Sequence, residues 1–166
     1  MSSPTLGARP LADAGPSVLR TPRVVEMLGN RLELLVEVGD FPRASLVRYT
    51  VAPGFSAPPQ LHHHVEDDVV MVVLRGGLVV TGVTGDQTAH AGDVVVLRHG
   101  TPFAWRNVSK EEEAVYLAVY APGGFEQYFP ALRDAASAAG GLSPDVLLPL
   151  WEQYGIAVSG TRSGEE

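Results

Sequence analysis

A chain of 166 residues is long enough for one domain with its own core, and 45% hydrophobic against 19% charged residues excludes disorder as its main state. Twelve Lys and Arg against nineteen Asp and Glu give a net charge of −7 without a basic cluster, which argues against a nucleic-acid partner. The absence of cysteine excludes disulfide scaffolds, thiolate metal sites, iron–sulfur clusters and thiol nucleophiles.

Residues 1–22 carry Pro4, Pro10 and Pro16 among small residues, with no lasting period, and predict a loose N-terminal arm. Met1-Ser2-Ser3-Pro4 lacks the cationic patch and apolar segment of a signal peptide. The apolar run Val69-Val70-Met71-Val72-Val73-Leu74 is too short to span a bilayer. A cytoplasmic protein away from membranes is therefore expected. From residue 23, Val24 to Leu28, then Gly29-Asn30, then Arg31 to Val38 predict a strand, a two-residue turn and a strand. Further strands are expected over 43–51, 69–74, 78–83, 93–97, 103–107 and 113–120, each closed by Gly or Pro. Closely spaced strands without intervening helices predict an all-β antiparallel sandwich or barrel over 23–122. Several strands are apolar on both faces, as expected when one face lines an interior and the other packs on a second sheet.

After Ala121-Pro122-Gly123-Gly124 the period lengthens. Phe125, Phe129, Leu132 and Ala136 share a helical stripe interrupted by Pro130. Ser143-Pro144-Asp145 reads as an N-cap, a first-turn proline and a first-turn acid, and Gly155 as a C-terminal cap. Pro149 predicts a kink or two short pieces. Residues 123–166 are thus a helical appendage and tail, expected on the outside of the barrel.

The dense polar cluster is Gln60-Leu61-His62-His63-His64-Val65-Glu66-Asp67-Asp68. On a strand, His62 and His64 point to one face. Facing inward, two imidazoles can present nitrogen to Fe, Mn, Zn or Ni, or act as general acid and base near neutral pH. A polar turn before a strand also holds histidines for solubility alone. Val69, Met71 and Val73 should alternate inward on one strand, and Phe103 and Trp105 on another. They form either a largely apolar cavity for an organic ligand or simply the filled interior of a small barrel. Tyr49, Tyr116 and Tyr120 lie on strands bordering that interior, to position a carbonyl or to pack. Ser45, Ser56 and Ser109 have no nucleophile-elbow context, and Gly76-Gly77 and Gly123-Gly124 fit turns rather than a phosphate cradle.

Pro58-Pro59-Gln60-Leu61-His62-His63-His64, followed by a strand and Gly76, resembles the first motif of the cupin superfamily. Gly92 to Asn107 resembles the second, and Pro122 to Glu126 and Gln153 to Ile156 are similar to the small single-domain quercetinase-like cupins. The resemblance spans roughly 24–158 and implies an antiparallel cupin (jelly-roll) β-barrel with short C-terminal helices. Metal-binding cupins take two His and a Glu from the first motif and a His from the second. Counting back from Gly76 puts His62 and His64 on the two His positions and Val69 on the Glu position. Phe103 stands where the second-motif His belongs. Asp67 or Asp68 could replace the Glu only if the chain bulges. The resemblance therefore implies no tight metal or other cofactor, and a divalent metal (Fe, Ni, Mn or Zn) only on an irregular ligand set of His62 and His64.

It implies a cupin-fold enzyme acting on a bulky apolar small molecule by cyclisation, isomerisation or dehydration, as in natural-product tailoring. A metal-dependent dioxygenase and a non-catalytic small-molecule-binding cupin are the alternatives. His62 and His64 are the expected catalytic pair. A homodimer pairing through sheet edges or terminal segments is the expected assembly.

Overall fold

The computed structural model describes residues 15–57 and 60–160. Most of the expected N-terminal arm, Pro58-Pro59 of the first motif and the end of the expected tail lie outside these residues; residues 15–22 carry no regular structure and are largely exposed.

The strands are β1 (Arg23–Met27), β2 (Asn30–Val36), β3 (Ser45–Val51), β4 (Leu61–His64), β5 (Asp68–Arg75), β6 (Gly77–Gly82), β7 (Gly85–His90), β8 (Val94–Leu97), β9 (Ala104–Asn107), β10 (Ala114–Ala121) and β11 (Ile156–Gly160). The helices α1 (Tyr128–Ala139) and α2 (Pro144–Tyr154) stand between β10 and β11. All pairings are antiparallel: a six-stranded sheet in the order β1-β2-β3-β10-β5-β8, a three-stranded sheet β7-β6-β9, and the pair β11-β4. Period-two alternation builds the interior. On β10, Ala114, Tyr116, Ala118 and Tyr120 are buried and Val115, Leu117 and Val119 are partly exposed. Val25, Leu32, Val47, Val51 and Leu78 are fully buried beside them. Neither helix is long and apolar enough to cross a membrane.

Several expectations need correction. The β1–β2 turn is Leu28-Gly29, with φ of 54° and 80°, while Asn30 pairs with Met27. Asn30 is drawn into the strand because its side chain is buried and its Oδ1 accepts the Ala52 N–H at 2.7 Å. That bond leaves Leu28 to take the left-handed conformation a two-residue hairpin requires. Gly85-Asp86 opens β7, a strand that the sequence pattern does not predict. Pro130 sits in the first turn of α1, where no intrahelical N–H partner is needed, so it interrupts nothing. Pro149 lies inside an unbroken α2, where it removes a single interior bond. Ser143 is extended at the start of α2 and Gly155 is left-handed at its end, as their residue types predict.

The C-terminal segment is also more than a helical appendage. β11 pairs with β4, matching Ile156 with His64 and Val158 with His62. The helices do not simply pack on the outside of the barrel. Phe125, Tyr128, Phe129, Leu132, Leu147 and Trp151 face the interior cavity and help to enclose it.

Candidate functional site

β4 is short and is held on both flanks by backbone hydrogen bonds. His62 exchanges bonds with Phe103 at 3.0 and 2.8 Å, the His64 carbonyl accepts the Gly100 N–H at 2.8 Å, and β11 pairs along the other side. This brace fixes the strand's register. His62 and His64 both turn inward, while His63 turns outward and bonds the Ser159 hydroxyl. The inward pair lines a cavity of about 130 Å³ together with Tyr49, Val69, Met71, Phe103, Trp105, Tyr116 and Tyr120. All the expected site residues meet there except Val73. That side chain is 1% exposed and points inward, but it is packed in the core away from the cavity.

The two imidazoles have different surroundings. The His62 ring lies against Phe103 (centroids 4.5 Å apart) and Trp151 (5.8 Å). Its Nδ1 is 3.3 Å from the Gln60 carbonyl. A carbonyl only accepts, so Nδ1 carries the hydrogen and Nε2 keeps a free lone pair. Burial pulls the pKa of His62 down to about 4, with a smaller lowering from His64 and His63 that the Gln60 bond opposes. His62 is therefore a neutral acceptor at physiological pH. The His64 ring meets the edge of Phe125 at 4.4 Å and stacks on Phe103 at 5.9 Å. Its Nδ1 is buried without a hydrogen-bond partner, and an Asp67 oxygen stands 4.0 Å away. A small closure would let the carboxylate accept an Nδ1–H and orient the ring. Asp68 is turned away: its carboxylate accepts the His99 N–H at 2.8 Å and lies 2.9 Å from His99 Nδ1.

The remaining polar side chains of the cavity are phenols and the indoles of Trp105 and Trp151. Tyr49 and Tyr116 stack at 5.2 Å, with Trp105 edge-on to both at 5.4 and 5.7 Å. Burial raises the pKa of Tyr49, Tyr116 and Tyr120 well above the ordinary phenol value, so each keeps its proton and can donate but not serve as a base.

Sequence reasoning missed the aromatic contribution of the C-terminal segment. The stripe through Phe125, Phe129 and Leu132 was visible, but the surface it covers was not. Its anchor is Glu126, fully buried, whose two oxygens accept the backbone N–H groups of Val38 at 2.6 Å and Gly124 at 2.8 Å. Trp151 is fixed by its indole N–H donating to the Tyr128 hydroxyl at 3.1 Å.

The donor set does not fit a resident divalent metal. Among the described residues, no group of three His, Cys, Asp or Glu converges on one point. Ring centroids of two imidazoles sharing one ion at a tetrahedral or octahedral angle stand about 4.5 to 5.3 Å apart, given nitrogen–metal bonds of about 2.0 to 2.1 Å. The centroids of His62 and His64 are 6.5 Å apart. The side chains on the other two walls, Val69 and Phe103, have no lone pair to offer.

Residues 47–120 match the cupin domain family. The chain carries a cupin domain. No curated protein matches this cupin at a significant level. Among solved structures, it is similar to KdgF from Halomonas sp., with a TM-score of 0.54 and 17% identity over 63% of this chain and 92% of that one. A predicted oxalate decarboxylase from Thermotoga maritima gives a TM-score of 0.54 and 24% identity over 64% of this chain and 99% of that one. A Streptomyces Pac13 variant with uridine gives 0.53 and 15% over 90% and 93%. Pac13 is described as a nucleoside dehydratase. Identities this low show a shared fold and leave substrate and reaction to be argued from the cavity of this cupin.

Proposed function

We propose that this cupin is a cytoplasmic enzyme that isomerises, cyclises or dehydrates a largely apolar small molecule by proton transfer through His62 and His64, without depending on a bound metal. The observation that carries the reading is the mixed make-up of one cavity. Two imidazoles stand on its β4 wall, while Val69 and Phe103 occupy the positions where the cupin pattern would complete a ligand set. What is left of that set can move a proton but offers a cation only two neutral donors in an apolar surround.

The chain's own groups divide the work. His62, neutral and with Nε2 free, takes a proton from a substrate carbon or hydroxyl. Its low basicity suits a proton already acidified by a neighbouring carbonyl, which a buried phenol such as Tyr120 can polarise by donating its O–H. His64 shares that proton or returns it elsewhere on the substrate, with Asp67 as the group that positions its ring. Return to another atom completes an isomerisation or a cyclisation. Delivery to a leaving hydroxyl releases water and completes a dehydration. The aromatic walls hold flat or ring-bearing substrates and keep bulk water out.

The cavity of about 130 Å³ lies below the roughly 300–1,000 Å³ of common ligand pockets. The enclosed form therefore takes a compact molecule. A bulky one requires the segment carrying Leu142 and Leu147 to move; Leu28 and Leu142, both exposed, border the cavity.

The test is incubation with a panel of compact cyclic and aromatic carbonyl compounds, read by liquid chromatography and mass spectrometry. Products of unchanged mass, or of mass lowered by one water, are expected and should vanish in a His62→Ala/His64→Ala variant. Addition of oxygen atoms would favour the dioxygenase reading, and saturable binding without turnover would favour a non-catalytic binding cupin.

A further inference from the structure

We propose that Tyr49, held in place by buried Asn30, selects the substrate: its hydroxyl donates to an oxygen at the end of the substrate remote from the imidazoles. The inference rests on the reading of the cavity as a substrate site, and it adds the polar group that the substrate must carry.

The cavity has two poles. At one, the rings of His62 and His64 lie against Phe103, and His64 stands 6.1 Å from Tyr120. At the other, Tyr49 packs on Trp105 and Tyr116 at 5.4 and 5.2 Å. Strand geometry separates them. Trp105 lies two positions beyond Phe103, and Tyr116, the register partner of Tyr49, lies four positions before Tyr120. At about 3.3 Å per residue the Tyr49 pole is roughly 7 to 13 Å from the imidazole pole. Tyr120 is thus the phenol beside the reacting atoms, and the Tyr49 O–H serves an oxygen at the far end of the molecule.

Asn30 singles out Tyr49 among the phenols. Both side chains are buried on neighbouring strands, on a diagonal of the β2–β3 register in which Leu32 faces Tyr49 and Arg31 faces Thr50. Diagonal neighbours on one sheet face are within reach of a long side chain. The Asn30 amide has a fixed orientation, because Oδ1 accepts the Ala52 N–H at 2.7 Å and the other end must be the NH2 donor. Its buried Nδ2 closes no hydrogen bond among the described residues. Burial raises the pKa of Tyr49, and the Asn30 amide that its hydroxyl faces opposes that rise. A buried donor left open is uncommon in a folded core, and such contacts tighten when a ligand arrives. Closing this one makes the Tyr49 oxygen an acceptor and commits its own hydrogen to the cavity that Tyr49 lines. A hydroxyl that accepts one bond donates the next more strongly. No side chain among the described residues holds the hydroxyl of Tyr116 or Tyr120 in this way. Asn30 is therefore a positioning residue, and the favoured substrate is a compact flat molecule with a carbonyl or ether oxygen at the end away from its reacting carbon.

Binding of 1-indanone and of indane, a flat ketone and the hydrocarbon of the same frame, tests this through tryptophan fluorescence of the full chain. The native protein should bind 1-indanone about tenfold more tightly than indane. Tyr49→Phe should bring that preference to within about twofold, and the infrared carbonyl stretch of bound 1-indanone should rise toward its frequency in hydrocarbon solvent. Asn30→Asp keeps an acceptor for the Ala52 N–H but offers the Tyr49 O–H an acceptor of its own, so it should abolish the same preference with Tyr49 still present. If Asn30→Asp fails to fold by circular dichroism, Tyr49→Phe decides alone. His62→Ala/His64→Ala should keep the preference and the native carbonyl stretch. A native chain that does not bind 1-indanone or does not prefer it to indane, a preference that survives Tyr49→Phe or a folded Asn30→Asp, or one lost with the histidines instead would each overturn the proposal. Tyr49-dependent binding without turnover of any carbonyl compound would uphold the anchor and overturn the catalytic reading of the cavity.

Discussion

Two walls of one cavity are built on opposite principles. The β4 wall is four residues long, braced by backbone bonds on both sides, and carries the imidazole lone pairs. The wall from β3, β10 and β5 is broad and central to a six-stranded sheet, and it carries phenols, Met71 and Val69. On the proposed reading, the first wall supplies chemistry on a small rigid element. The second supplies shape, and its only polar groups hold their protons at any physiological pH. On the proposed reading, half of a metal-ligand pattern is useful without the other half, because a braced imidazole pair needs no cation to handle a proton.

The strongest way to break this contrast is to remove the β4 imidazoles. The His62→Ala/His64→Ala variant should lose about 10²- to 10⁴-fold in turnover, the range general acid–base groups supply, with its circular-dichroism spectrum unchanged. Tyr116→Phe on the opposite wall should lose less than about tenfold, since a single hydrogen bond is at stake. Equal losses from both would erase the division of labour.

Acid stability sharpens the same contrast. His62 has a folded pKa of about 4 against an ordinary value of 6.5. Between those values the unfolded chain binds a proton that the folded chain refuses. Stability attributable to this residue is therefore full above about pH 6.5 and falls as pH drops toward 4, by on the order of 3 kcal/mol. Denaturant titrations at pH 7 and 4.5 should show this loss, and His62→Gln should reduce it. An unchanged slope would place His62 in a wetter site than its burial indicates.

A stability loss of similar size is expected at the helical cover. Phe129→Ala removes a 6%-exposed ring that packs edge-on to Tyr49 at 6.0 Å. The loss should be about 3 kcal/mol in chemical denaturation, at the low end for such truncations because the ring already borders a cavity. Turnover of larger substrates should rise as the space enlarges. A loss as great as that of the histidine pair would give the cover a chemical role.

How far this architecture could be read from the chain depended on burial. Strands β3, β5 and β10 alternate sharply because one face is deeply buried, and their expected limits fall within two residues of those observed. β7 escaped because an edge strand of sequence Gly-Asp-Gln-Thr-Ala-His has no apolar alternation to read. β11 escaped because its partner, β4, lies more than ninety positions away in sequence, and local pattern does not encode pairing. The i, i+2 spacing of His62 and His64 made their common direction legible, the count from Gly76 placed Val69 beside them, and the resemblance to the second motif placed Phe103. Val73 shares the inward phase of Val69 and Met71, but phase gives a direction and not a depth. Phe125, Phe129 and Trp151 were legible as helical faces, while their position around the cavity depends on buried Glu126 and the Trp151–Tyr128 bond, which only the tertiary fold assembles.

The central claim is that this cavity does its chemistry without a resident metal, and elemental analysis coupled to a chelation assay tests it most directly. Native protein should carry well under one equivalent of iron, nickel, manganese or zinc and keep its turnover in excess chelator. A Val69→Glu/Phe103→His variant, purified alongside, should retain about one equivalent, because it supplies the two missing ligands. One equivalent of metal in the native protein, with activity abolished by chelation and restored by that metal, would contradict the account.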